Sequence, residues 1–80
     1  MQQRSRMKKD PRILFGQRLR AIRRSQNLSQ EDLAFEAGLD RTYIGSMENG
    51  KRNVSLINIC RVAKALKVSP SYLLDFDAPI

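Results

Sequence analysis

Residues 29–50 read SQEDLAFEAGLDRTYIGSMENG, and the spacing inside this stretch decides the fold. Ser29 is a strong helix N-cap, and Asp32, three positions on, is a short-armed partner for a capping box. Gly38 supplies the positive φ that ends one helix and turns the chain sharply into the next. Asp40 caps a second helix, predicted over 41–49, and Gly50 terminates it. Ala34 is small enough for the two helices to approach closely, while Ile44 anchors the second one in a core. The second helix is unusual, because only Ile44 and Met47 on it are strongly apolar. Arg41, Thr42, Tyr43 and Ser46 therefore point elsewhere. A helix with so thin an apolar edge leaves most of its surface for a partner.

The flanking sequence supplies the rest of the core. Upstream, Asp10-Pro11 reads as N-cap followed by N1, where proline's missing N–H costs nothing. Phe15, Leu19 and Ile22 then recur at i, i+4 and i+7, giving one apolar stripe on a first helix over about 12–25. Asn27 closes it as a left-handed C′ residue. Downstream, Ser55 caps a fourth helix whose stripe runs Leu56, Ile59, Ala63 and Leu66, with Cys60 beside it as a small core hydrophobe. Ser69-Pro70 repeats the cap-then-proline signal and opens a last short helix through Tyr72, Leu73 and Leu74. No period-2 alternation occurs. The fold class is all-α: a compact five-helix domain over 11–76, with a basic arm at 1–10 that reads as disordered and a loosely attached tail at 77–80.

Composition narrows the function. The 80 residues carry a net charge of +7, unevenly spread. Residues 1–28 hold nine basic side chains against Asp10 alone, whereas residues 29–80 hold six basic and seven acidic ones. Such asymmetry attracts polyanions, and nucleic acid is the usual one. The one cysteine cannot form an internal disulfide, no apolar run approaches the roughly 20 residues of a membrane span, and the N-terminus lacks an apolar secretory core. These features fit a reducing cytosol. There is no histidine, no glycine-rich phosphate loop, no cysteine cluster and no nucleophile elbow, so neither an enzyme nor a cofactor or metal is implied.

Two helices set across a tight turn, the second left exposed, are the parts of a helix-turn-helix, here at 30–49. The chain resembles the Xre/Cro-like family of helix-turn-helix regulators over about 12–75. The residues that carry the likeness are Leu19-Arg20 and Ile22-Arg23; Leu28-Ser29-Gln30-Glu31-Asp32-Leu33-Ala34; Gly38; Ile44; Glu48-Asn49-Gly50-Lys51; and Ala63-Lys64-Ala65-Leu66-Lys67-Val68-Ser69 with Leu73-Leu74. Within the family, Leu39-Asp40-Arg41-Thr42-Tyr43-Ile44 followed by Arg52-Asn53 looks most like the controller proteins of restriction–modification systems. The family also holds phage-type repressors and antitoxins that bind both DNA and a toxin, and these stand as alternatives.

The resemblance implies a duplex-DNA partner and a role for each residue. Arg41 and Thr42 open the recognition helix and reach base edges; arginine can bond guanine O6 and N7 together, and the threonine methyl can meet a thymine methyl. Gln30, Tyr43, Ser46, Lys51, Arg52 and Asn53 are backbone or groove-edge contacts. Arg23 and Glu48 form a buried ion pair, although the residues alone also allow two separate surface charges. Glu31 and Asp32 complement the dipole of their helix, and in activators of this family an acidic patch there contacts RNA polymerase. Arg18, Arg20, Arg24 and the run at 4–9 carry no positional signature. A two-fold homodimer on a pseudo-palindromic operator is expected. Tyr72, Phe76 and Ile80 are its candidate interface, as apolar residues without an evident place in a small core.

Overall fold

The structure is a computed structural model that describes residues 10–80; the basic arm lies largely outside the described residues. Five helices follow in order, α1 (Pro11–Ser25), α2 (Gln30–Ala37), α3 (Arg41–Glu48), α4 (Leu56–Leu66) and α5 (Pro70–Leu74), with no strand among the described residues. Every helix starts at a side-chain cap: Asp10, Ser29, Asp40, Ser55 and Ser69 each accept a backbone N–H of the first turn. The capping box of α2 is complete. Ser29 Oγ accepts from the Asp32 N–H at 2.9 Å, and Asp32 Oδ2 accepts from the Ser29 N–H at 3.0 Å. The second of these bonds, from the Ser29 backbone, is the larger cause that holds the Asp32 carboxyl below its ordinary pKa.

One core joins all five helices. Phe15, Leu19 and Ile22 of α1 meet Leu33, Ala34 and Ala37 of α2, Ile44 and Met47 of α3, Val62, Ala63 and Leu66 of α4, and Leu73 of α5. Gly38 has φ +69° and open space around its α-carbon, so the turn needs glycine for its backbone and not for its size. Gly16 is the opposite case. A Cβ there would fall 2.4 Å from the Met47 carbonyl oxygen and 2.6 Å from that of Glu48. The missing side chain lets α1 lie directly on the end of α3.

Several expectations are corrected. Helix α3 ends at Glu48, with Asn49 as its C-cap and Gly50 turning at φ +73°. On α4 the inward stripe is Ile59, Val62, Ala63 and Leu66, while Leu56 is 71% and Ile57 68% exposed. Leu56 sits in the first position after the cap, beyond the reach of the core. Cys60 faces outward with these two instead of packing inside. Tyr72 and Phe76 do have places, packed against the core, whereas Ile80 stays exposed. The end of the chain is tied down: Arg18 Nη1 donates to the Ala78 carbonyl, and the Tyr72 hydroxyl donates to that of Pro79 at 2.8 Å.

Candidate nucleic-acid interface

Helix α3 is fixed from below and bare above. Ile44, Met47 and Glu48 are buried, Arg41 and Thr42 are exposed, and Tyr43 and Ser46 are half-buried. Asp40 Oδ1 accepts the Thr42 N–H at 2.7 Å, which leaves the side chains of the first turn free. The Arg41 guanidinium bonds to no described residue, so its five donors are available. The turn after α3 is held against it. Lys51 N donates to the Ser46 carbonyl at 3.0 Å and Gly50 N to that of Met47 at 3.1 Å. The Arg52 guanidinium lies 5.2 Å from the centre of the Tyr43 ring, and Asn58 Nδ2 donates to the Tyr43 hydroxyl at 3.2 Å. That bond occupies an acceptor position on the hydroxyl and leaves its proton to donate. Lys51, Arg52 and Asn53 are all exposed. Arg41, Lys51 and Arg52 make no ion pair among the described residues.

Beneath the C-terminal end of α3 lies a carboxylate hub. Glu48 is buried, and Arg23 grips both its oxygens, with Nε 2.6 Å from Oε2 and Nη2 3.0 Å from Oε1. The third arginine arm, Nη1, donates to the Leu28 carbonyl at 2.7 Å. Gln30 Nε2 donates to Glu48 Oε1 at 3.0 Å, so the opening residue of α2 is locked to the end of α3. Burial by itself would push the Glu48 carboxyl up. The bonds from Arg23 and Gln30, then the charge of Arg23 and the bond from Arg20, outweigh it and hold the pKa below the ordinary value. The hub joins α1, α2 and α3 through one ionised group.

Sequence reasoning passed over two arginines. Arg20 Nε donates to Glu48 Oε1 at 3.3 Å and Nη2 to Asn49 Oδ1 at 2.9 Å. Arg18 is buried, donates to the Tyr72 carbonyl at 2.9 Å and stacks 4.5 Å from the Tyr72 ring centre. The ring face helps to offset burying a cation. A spacing of i, i+3 with Arg23 was the available signal for Arg20; nothing local marks Arg18. Elsewhere, Glu31 and Asp32 are exposed on α2 together with Phe35, which is 84% exposed. Tyr72, Phe76 and Ile80 belong to the C-terminal end and are not part of the α3 surface.

A cation-bearing, outward helix entered by a tight glycine turn and braced from behind by a buried ion pair defines a DNA-reading helix-turn-helix domain. A family model described as helix-turn-helix matches residues 19–73. The chain belongs to the Xre/Cro-like helix-turn-helix family and is by class a DNA-binding transcription regulator. It is similar to the control protein C.BamHI of Bacillus amyloliquefaciens, 61% identical over 66 residues that cover 81% of this chain and 82% of that one. Among solved structures it resembles the restriction–modification controller protein C.AhdI from Aeromonas hydrophila, with 55% identity and a TM-score of 0.77, over 78% of this chain and 94% of the other. It also resembles the controller protein C.Esp1396I, solved as a tetramer in complex with its natural 35 base-pair operator. There the identity is 30% and the TM-score 0.77, covering 84% and 88% of the two chains. No helix among the described residues is long and apolar enough to cross a membrane.

Proposed function

We propose that this chain reads a two-fold operator with Arg41 and Thr42 and thereby controls the expression of a restriction–modification system. The observation that carries the reading is the unpaired, exposed Arg41 at the open end of a helix whose other face is fully packed. Thr42 and Ser46 lie along the same helix as groove contacts. Gln30, Tyr43, Lys51, Arg52 and Asn53 grip the flanking phosphates and set the register. Similarity to proteins named as restriction–modification controllers supplies the biological setting, and the setting implies the bacterial cytosol, at the nucleoid.

One eight-residue helix in one groove offers too few base contacts for useful specificity, so the working form is a homodimer with recognition helices about 34 Å apart. The partner copy docks on the outer face of α4, where Leu56, Ile57 and Cys60 are exposed side by side. On this reading the interface lies on α4 rather than on Tyr72 and Phe76, which are half-buried against their own core. Glu31 and Asp32, with Phe35 beside them, form a surface for RNA polymerase bound to the same DNA. It is acidic in an otherwise basic chain, and so is repelled by phosphate and suited to a basic protein surface. Selecting bound duplexes from a random pool tests the reading. Enrichment of a pseudo-palindrome with half-sites one helical turn apart is expected, and recovery of unbiased sequence would overturn it.

A further inference from the structure

The Glu48 hub is over-supplied with positive charge. Arg23 alone satisfies the carboxylate, with two bonds, an 8% exposed side chain and its remaining arm spent on the Leu28 carbonyl. Arg20 is a second cation on the same oxygen, more distant at 3.3 Å and with a side chain 37% exposed. Two guanidinium groups on one carboxylate leave one unit of charge in excess, and the excess sits at the surface. The carboxylate already takes bonds from Arg23 and Gln30, so structural support alone is a weak reason for a second arginine here.

The bonding also sorts donors from acceptors. Glu48 takes one N–H from Arg20 and one from Gln30, and Asn49 turns its oxygen toward Arg20. Arg20 Nη1, the second N–H of Gln30 and the whole amide nitrogen of Asn49 bond to no described residue. Because Arg20 and Gln30 share Glu48 Oε1, these groups lie within a few ångströms of one another. The Glu48 and Asn49 side-chain oxygens are spent on these bonds, Gln30 Oε1 lies beside Gly45 without a bond, and the other unspent groups are donors. That is the chemistry of an anion site. Its place suits a nucleic-acid phosphate: eight residues of helix are about 12 Å long, close to the roughly 12 Å width of the major groove. Groups gathered at the far end of α3 from Arg41 therefore reach the sugar–phosphate rail bordering the groove.

We infer that Arg20, with Asn49 and Gln30 beside it, forms a phosphate clamp that Glu48 holds in place before DNA arrives. This rests on the proposed duplex-reading function and adds to it a contact made from α1, outside the helix-turn-helix unit. The test compares wild type, Arg20→Gln and Arg20→Lys binding to one duplex between 50 and 200 mM salt, alongside thermal melts of each protein. Removing one phosphate contact shallows the slope of log K against log salt by about 0.9 per subunit. The affinity lost by Arg20→Gln is then about 3–4-fold per subunit larger at 50 mM than at 200 mM. Arg20→Lys restores most of the slope, and the melting temperatures stay together. An Arg20→Gln slope equal to wild type, or a loss of affinity that merely follows a lowered melting temperature, overturns the clamp and leaves Arg20 a structural tether. If wild type itself shows no salt-dependent duplex binding, the duplex-reading function fails first, and the clamp falls with it.

Discussion

Arg41 and Glu48 stand at the two ends of one short helix and do opposite work. Arg41 keeps all its donors for a partner, and Glu48 has given up all its exposure. If Arg41 bonds a guanine edge, Arg41→Ala costs about 1–3 kcal/mol on the selected operator and relaxes preference at one base pair per half-site. Equal loss on operator and random duplex, in a side-by-side titration, would reassign it to the phosphates. For the hub the partners are unequal. Arg23→Ala leaves Glu48 with bonds from Arg20 and Gln30, whereas Glu48→Ala strands a buried arginine and orphans Gln30. Breaking a buried pair costs about 3–5 kcal/mol, so Glu48→Ala belongs at the upper end and Arg23→Ala at the lower. Chemical denaturation gives the order directly.

The hub also makes stability depend on pH. The folded-state pKa of Glu48 is depressed, so the unfolded chain binds a proton more readily as acid is added. Its stabilising contribution is complete above the unfolded value of about 4.3 and is lost as pH falls through the lower folded value. Melts of wild type should therefore drop on going from pH 5 to pH 3, and Glu48→Gln should drop less over the same interval. Parallel curves would show that another carboxylate governs acid unfolding.

At the scale of elements, the helix starts were legible because caps are local chemistry. Asp10-Pro11, Ser29, Asp40, Ser55 and Ser69-Pro70 each place an acceptor where the first-turn N–H groups lack one, and all five do so in the fold. Orientation was less legible. Helix α4 is apolar at Leu56, Ile57, Ile59 and Cys60 alike, and periodicity cannot say how far round the helix the buried arc extends. Packing decides, by setting Val62 inward and Leu56 and Cys60 outward. Arg18 was unreadable for a related reason, since its partners, the carbonyls of Tyr72 and Ala78, lie more than fifty residues away. Gly16 is a further element-level constraint that its place mid-helix hid. Glycine there weakens α1 by about 1 kcal/mol relative to alanine in isolation, yet the contact with α3 reverses the sign. Gly16→Ala must push two backbone carbonyls aside and should destabilise by about 3 kcal/mol, while alanine at exposed Gln17 should be nearly neutral. A more stable Gly16→Ala protein in urea would refute the close approach of α1 and α3.

For the whole molecule, the proposed homodimer sets the question of how two copies meet so that both α3 helices face one side of the DNA. In a two-fold contact the same patch meets itself, so the proposed α4 interface would bring Leu56 and Ile57 from each copy together, four apolar side chains in all. At about 1.5–3 kcal/mol each when fully buried, they supply roughly 6–12 kcal/mol. Association itself costs an estimated 4–15 kcal/mol. The balance is narrow, so the free dimer is weak and one charge in the patch is enough to break it. Arg61 and Lys64 border the same face and must stay at its rim, where like charges from the two copies remain hydrated. Leu56→Glu should thus sediment as a monomer at concentrations where wild type is dimeric, with an unchanged helical spectrum and melting temperature. Its operator affinity should fall far more than its affinity for an isolated half-site. Cys60, one turn further along the face, offers an independent readout: a short thiol-to-thiol cross-linker should join wild-type chains into covalent dimers and leave Leu56→Glu uncoupled. Efficient dimerisation of Leu56→Glu, or a wild-type dimer that Cys60 cannot cross-link, would move the interface off α4.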